Sequence, residues 1–339
     1  MRHRRAFWGI SILIALVWTL SGGSSSTSSG GLVVGAEPQR GGNPSGAAVP
    51  NGAAARGGVA VEPPPAAEDL VLLTVTVADK KGAVTGLDKS RFQVLEDGVE
   101  QKIAYFWVDN RPISVGFVFD GSSTMTDVMN EAMREVGPAF LKSKTQDDEY
   151  FVIVFSDAPA MVVAYTTDAK LMPKVFPKSG EQPLYDAIYN GIDAMKEAAN
   201  PRKVLVVVTA AGDNGKGQTD DQLVNYAIKQ PVQVYSIDMG GGSAASNTLD
   251  LLASVTGGRA NVSSDSSFLL ESISAELARA LKSQYLIGYK STNTKKDGHR
   301  RGVKVKVRAS SEEAKLTVWT KSGYYSQKES KTKTVTTGK

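Results

Sequence analysis

Four short, almost continuously apolar runs limit what this chain can fold into more than any other feature. They are VGFVF at 115–119, FVIVF at 151–155, VLVVV at 204–208 and VQVYSI at 232–237. A strand with one solvated face alternates apolar and polar side chains. A strand covered on both faces reads instead as an unbroken run rich in branched residues. Between and after these runs lie segments of helical period at 127–141, 184–199, 221–229 and 268–281. Leu184, Ile188, Ile192 and Met195 form one stripe, and Leu270, Ile273, Leu277 and Leu281 form another. Strands alternating with helices predict the α/β class, with a doubly wound, mostly parallel sheet over residues 111–283.

A different rhythm brackets that region. Val71, Leu73, Val75 and Val77 recur at every second position, as expected of a half-buried strand, and Gly82 and Gly86 follow as turn residues. Residues 92–96 read as a second strand. Asp97-Gly98 signals a hairpin, because both central turn positions need positive φ, leading into a strand at 103–108. After the last helical segment the chain returns to strands at 285–289, 303–308 and 316–319. Val303, Val305 and Val307 face one way, and Lys304, Lys306 and Arg308 form a solvated outer face. The two arms, 68–110 and 284–325, are expected to pack together as one small β unit. The acidic stretch Asp147-Asp148-Glu149 reads as a solvated turn ahead of a strand.

The ends differ in composition. Residues 1–5 are cationic, 6–20 are nearly all apolar, and Ser21, Gly22 and Gly23 follow. This is the three-part layout of an export signal, whose apolar part runs to roughly 15 residues, short of the ~20 that span a bilayer. Residues 1–23 are thus read as an export signal, either cleaved or kept as a membrane anchor, giving a periplasmic, secreted or membrane-tethered protein. Residues 24–67 are rich in Gly, Ser, Ala and Pro and read as a disordered tether, stiffened at Pro63–Pro65. Residues 326–339 read as a disordered basic tail. Formal net charge is +4, but Arg2, Arg4 and Arg5 lie in the first segment and Lys328, Lys331, Lys333 and Lys339 in the tail. The folded region carries no basic surplus, which argues against nucleic-acid binding. Cysteine is absent, so disulfides, thiolate metal sites and cysteine nucleophiles are excluded.

In an open α/β sheet, ligands bind at the carboxyl ends of the strands, near the point where strand order reverses. The first apolar run ends there in Asp120-Gly121-Ser122-Ser123-Thr124-Met125. A carboxylate and two hydroxyls at alternate positions offer hard oxygen donors of the kind Mg²⁺ takes. The same loop can instead cap its helix with Ser122 or Thr124 and hold no metal.

This D-x-S-x-S/T loop resembles the metal-ion-dependent adhesion site of von Willebrand factor A-type domains. The resemblance continues through TVTVADKKGAVTGLDKSRFQVLEDGVEQKI, LYDAI, ASVTGGRA, SQYLIGYKSTN and SGYY, which are similar in order to the Acidobacterial-type subgroup over roughly residues 70–325. The resemblance implies a Rossmann-like fold and a module that binds a protein partner and is not an enzyme. It also implies two further parts of the metal site, and this chain departs from both. Gln182 stands where the family has threonine, and Thr209-Ala210-Ala211 stands where it has S/T-D-G. Asp120, Ser122 and Thr124 therefore remain as metal candidates, with Gln182 and Asp213 as substitutes, and any Mg²⁺ binding is expected to be weak. Asp120, Ser123, Gln182 and Asp213 are the expected partner-binding residues. The alternative is a structural scaffold component of an envelope or surface assembly. His3 and His299, the only histidines, lie in the export signal and in a basic turn, so no triad or histidine metal site can form. The tract Gly240-Gly241-Gly242 lacks the lysine of a phosphate-binding loop and reads as a flexible rim loop.

Overall fold

The structure is a computed structural model that describes residues 70–121, 136–171, 183–210, 212–213, 215–240, 242, 245–262, 267–308 and 315–328. The expected export signal and tether, most of the tail, the first part of the helix at 127–141, and Ser122, Ser123, Thr124, Gln182 and Ala211 lie outside the described residues. The chain runs through β1 (Leu70–Asp79), β2 (Gly82–Ala83), β3 (Phe92–Glu96), β4 (Val99–Gln101) and β5 (Ile103–Val108). It then forms β6 (Ile113–Asp120), a helical stretch at 136–142, β7 (Glu149–Phe155) and β8 (Pro159–Thr166). There follow α1 (Leu184–Ala194), β9 (Arg202–Thr209), α2 (Asp220–Ala227), β10 (Gln233–Asp238), α3 (Ser246–Thr256), β11 (Ala260–Val262) and α4 (Ser267–Leu281). The chain returns through β12 (Tyr285–Lys290), β13 (Arg300–Val307), β14 (Thr317–Trp319) and β15 (Gly323–Tyr325). Among the described residues, no helix is long and apolar enough to cross a membrane.

The central sheet has six strands in the order β11-β10-β9-β6-β7-β8. All neighbours pair in parallel except β7 and β8, which are antiparallel. The four apolar runs form its interior, as their composition predicts. All eight residues of β6 are buried. Phe117 and Phe119 pack on one face with Phe140, Leu277 and Leu281, while Val118 packs on the other with Ile188, Leu223 and Leu252. Gly116 has no side chain because the Phe151 ring crosses the strand there, and a Cβ would lie 2.3 Å from it. From β6 the chain moves outward through β7 and β8, then returns to the other side of β6 as β9, so strand order reverses between β6 and β9.

The two flanking arms do form one β unit, a sandwich of two sheets. One sheet has the order β14-β1-β12-β5, with β2 added to β1, and the other has the order β15-β13-β3-β4. Val75, Val77, Tyr285 and Ile287 of the first face Phe92, Val94, Val303 and Val305 of the second. Lys304 and Lys306 are exposed on the outer face of β13, as their alternation predicts. Glu96 is buried between the sheets, where it accepts hydrogen bonds from Tyr289 Oη and Tyr324 Oη, both at 2.8 Å, and from Ser291 Oγ. Burial and the adjacent Glu96 carboxylate push the Tyr289 phenol far above its ordinary pKa.

The hairpin at Asp97-Gly98 forms with φ of 47° and 85°, but its second strand is β4, not the 103–108 strand. After β4 the chain leaves for the other sheet, where β5 pairs with β12. Gln101 holds that corner, its side-chain amide donating to Val99 O and Thr292 Oγ1. The α1 helix also stops at Ala194 and tightens into a 3₁₀ turn, Met195–Glu197.

The acidic turn at 147–149 is not simply solvated. Asp147 is exposed, but Asp148 is buried, accepting from Ile113 N at 2.9 Å and Thr145 N at 2.6 Å and pairing with Lys282. Glu149 accepts from Ser114 Oγ at 2.6 Å and Ala199 N at 2.7 Å. Burial by itself raises the Asp148 pKa, but Lys282 and the two backbone N–H groups outweigh it and hold the carboxyl below its usual value. A depressed folded-state pKa gives stability that is present above about pH 4, the unfolded value, and lost as pH falls through the folded value. In melts across the acid range, Asp148→Asn should therefore lower the midpoint at neutral pH, reflecting a loss of about 1–3 kcal/mol, and the variant's stability should decline less steeply than that of the native chain below about pH 4. Parallel curves for the two proteins would contradict the assignment.

Candidate functional site

Three adjacent strands end together at the carboxyl edge of the central sheet: β6 at Asp120, β9 at Thr209 and β10 at Asp238. Asp120 is completely buried at the point where strand order reverses. Its Oδ2 accepts from Thr209 Oγ1 at 2.9 Å and from the Ala210 backbone N–H at 3.3 Å. The carboxylate thus bridges the two strands that flank the reversal. Gly121 N donates to Phe155 O at 2.7 Å, fixing the start of the following loop to the end of β7.

The next strand end repeats the device. Asp238 Oδ1 accepts from Gly240 N at 2.9 Å, and its Oδ2 accepts from Ser246 Oγ at the start of α3. Met239 N donates to Thr209 O at 2.7 Å, drawing the 239–242 turn against the end of β9. Gly240 passes so close to Ala210 that a Cβ would lie 2.3 Å from the Ala210 carbonyl oxygen. The first glycine of the tract is therefore required by close backbone approach and is not merely a flexible spacer. Asp238 went unnoticed in the sequence, although it meets the criterion that identified Asp120, an acid closing an apolar run.

Asp213 lies at the same rim and acts on α1. The residue before that helix is Pro183, whose side chain offers no cap. Asp213 Oδ1 accepts from Tyr185 N at 2.8 Å and Oδ2 from Gly215 N at 2.8 Å. A carboxylate at a helix N-terminus satisfies an otherwise orphaned donor and complements the helix dipole. Asp186, in the first turn of α1, reaches back to accept from Gln218 N at 2.8 Å. Tyr185 Oη donates to Thr248 Oγ1 at 3.0 Å and joins α1 to α3. The 210–219 segment is thus tied to the start of α1 by one carboxylate from each side.

Of the sequence candidates, the structure brings Asp120 and Asp213 to one edge, while Ser122, Ser123, Thr124 and Gln182 lie outside the described residues. Among the described residues, no three His, Cys, Asp or Glu side chains gather as a metal-holding group. Ala210 presents a methyl group where the resemblance calls for an aspartate, and its backbone N–H bonds to Asp120 instead. The described donors do not make up a divalent-cation site. One oxygen of Asp120 is engaged by neutral donors, and both oxygens of Asp213 serve the backbone.

Residues 114–276 match the family model of the von Willebrand factor type A domain. No curated protein matches the chain. Among solved structures, proximal thread matrix protein 1 from the mussel byssus is similar at 17% identity and a TM-score of 0.44, over 55% of this chain and 49% of its own. A von Willebrand factor type A protein from Catenulispora acidiphila matches at 10% identity and a TM-score of 0.45, over 78% of this chain and 74% of its own. The PilB minor pilin from Streptococcus sanguinis matches at 11% identity and a TM-score of 0.42, over 52% and 62%. The chain spans about half the length of the mussel protein.

If Asp213 caps α1 across the loop, Asp213→Ala should cost about 0.5–2 kcal/mol, the usual worth of a lost N-cap. Asp213→Asn, which keeps an acceptor for Tyr185 N, should recover most of it. Denaturant titration of the three proteins reads this directly, and equal stability of Asp213→Ala and the native chain would refute the cap.

Proposed function

We propose that the chain is an exported protein-binding module that recognises a protein partner at the carboxyl edge of its central sheet, with weak or absent dependence on a divalent cation. Domains of the von Willebrand factor type A family generally mediate protein–protein interaction, commonly through a metal-ion-dependent adhesion site. The observation that carries this reading is the state of Asp120 at the strand-order reversal. Its carboxylate bridges Thr209 Oγ1 and the Ala210 N–H, so neutral donors engage an oxygen of the acid on which the family's site is centred. A partner recognised here meets Ser123, Gln182 and Asp213 at the rim around the buried Asp120, in place of completing the coordination of a tightly held ion. Export rests on the layout of residues 1–23 alone.

The weak cation dependence follows from ligand number. Asp120, Ser122 and Thr124 supply one carboxylate and two neutral hydroxyls, with Gln182 and Ala210 in the remaining positions. A ligand stabilises the native state by RT ln(1 + [L]/Kd), so a site of millimolar Kd gains well under about 1 kcal/mol at ~1 mM Mg²⁺. The melting midpoint should hardly move with Mg²⁺ or a chelator. The double substitution Gln182→Thr and Ala210→Asp should create a response that a further Asp120→Ala removes. A large Mg²⁺ stabilisation of the native chain, lost in Asp120→Ala, would overturn the weak-cation reading.

Partner recognition is tested by capture. Immobilised protein lacking residues 1–23 should retain one defined protein from the envelope fraction of the source cells, with a chelator present, and Ser123→Arg with Gln182→Arg should abolish retention. Recovery of this chain alone, as self-association, would favour a scaffold role instead.

A further inference from the structure

Opposite the carboxyl edge, where the amino ends of the central strands meet the β sandwich, lies an open groove of about 930 Å³. The described residues that line it include Arg111, Lys229, Lys290, Lys295, Lys296 and Lys321, and no aspartate or glutamate. Arg111 is held by Asp109. Lys229, Lys295, Lys296 and Lys321 have no acidic partner among the described residues. Lys229 and Lys321 lie instead 5.8 Å and 6.0 Å from the ring centres of Tyr325 and Tyr324. Lys321 is half-buried, and its desolvation lowers its pKa below the ordinary lysine value. A partly desolvated ammonium without a counter-charge is a cost that an anion in the groove would relieve.

The arrangement of these charges selects among anions. The four lysines come from three separate segments: the turn after α2, the β12–β13 loop and the turn before β15. They are point charges on flexible stems, spread along the groove, and do not form the convergent guanidinium fork that grips a single phosphate. The same groove is also lined by apolar Leu70, Leu72, Ile228 and Pro231. The tyrosine rings at the wall are already faced by lysines, which leaves them poor platforms for stacked bases.

We propose that this groove binds an extended acidic segment of a partner polypeptide, whose carboxylates meet Lys229, Lys295, Lys296 and Lys321 while its intervening apolar side chains pack on the apolar lining. The site lies on the opposite edge of the sheet from the one assigned above and does not depend on that assignment.

The test uses the full chain and a fluorescein-labelled peptide of alternating glutamate and leucine, read by fluorescence anisotropy. Saturable binding that weakens as NaCl rises is expected. Reversal of the three exposed lysines, Lys229→Glu with Lys295→Glu and Lys296→Glu, should weaken it about tenfold or more without moving the melting midpoint. Lys321→Met, which keeps the apolar stem, should weaken it severalfold. No saturable binding, equal binding of a glutamine–leucine peptide, or an affinity unchanged by the triple reversal would overturn the proposal. Tighter binding of single-stranded oligothymidylate or dextran sulfate than of the peptide at matched salt would also overturn it, by making the groove a general polyanion site.

Discussion

The geometry of the molecule depends on one buried cation. Arg202 opens β9, and its side chain is almost wholly out of contact with solvent. It lies 3.6 Å from the buried carboxylate of Asp109 and donates to Arg111 O, to Leu281 O and to Gln284 Oε1. Asp109 and Arg111 sit where the chain crosses from the sandwich into the central sheet, and Leu281 and Gln284 where it crosses back. Both crossings are therefore fastened to the same guanidinium. Gln284 extends the network, its amide donating to Thr76 Oγ1 on the sandwich side and to Tyr235 Oη and Gln233 Oε1 on the sheet side. An ion this deep is tolerated only with its partners in place, since stripping one away costs several kcal/mol. Ile113 pairs with Arg202 at one end of the β6–β9 ladder and Phe119 with Val208 at the other. The register fixed at the base of the sheet thus sets Asp120 beside Thr209 at the rim.

What could be read from the sequence followed from how far each signal extends along the chain. The interior strands were legible because burial on both faces writes itself into five or six consecutive residues. The edges were not: β8, with Met161 and Val162 exposed, follows no simple alternation, and β11 has only three residues. The α3 helix begins on polar Ser246, Asn247 and Thr248 and was also missed, although Gly257, at φ 83°, ends it in the expected left-handed conformation. The hairpin at Asp97-Gly98 was legible from its turn residues, but the departure of β5 to another sheet depends on β12, which is remote in sequence. Burial of Asp148 likewise depends on Lys282.

The same distinction holds at the rim. Asp120 could be identified from an acid closing an apolar run ahead of a hydroxyl-rich loop, and the structure places it at the reversal of strand order. The part played by Asp213 could not, because a carboxylate that caps a helix from another segment leaves no pattern at the helix itself. Ala210 is a third case. The sequence shows a missing acid, and only the fold shows that the Ala210 backbone N–H bonds to Asp120.

The pairing of β1 with β12, from Leu70 opposite Lys290 to Val75 opposite Tyr285, places the entire α/β unit inside a single loop of the sandwich. On a ribosome, which adds roughly 5–20 residues each second, β1, β3 and β5 leave the exit tunnel on the order of ten seconds before their partners β12 and β13 exist. Alone, the β3–β4 hairpin is too small to persist in water. The first of the described strands to emerge are consequently among the last to complete their sheets, and the edges that β12 and β13 will cover wait unpaired until then. A chain built this way places its greatest demand on whatever shields nascent strands, and it closes only when its far end arrives.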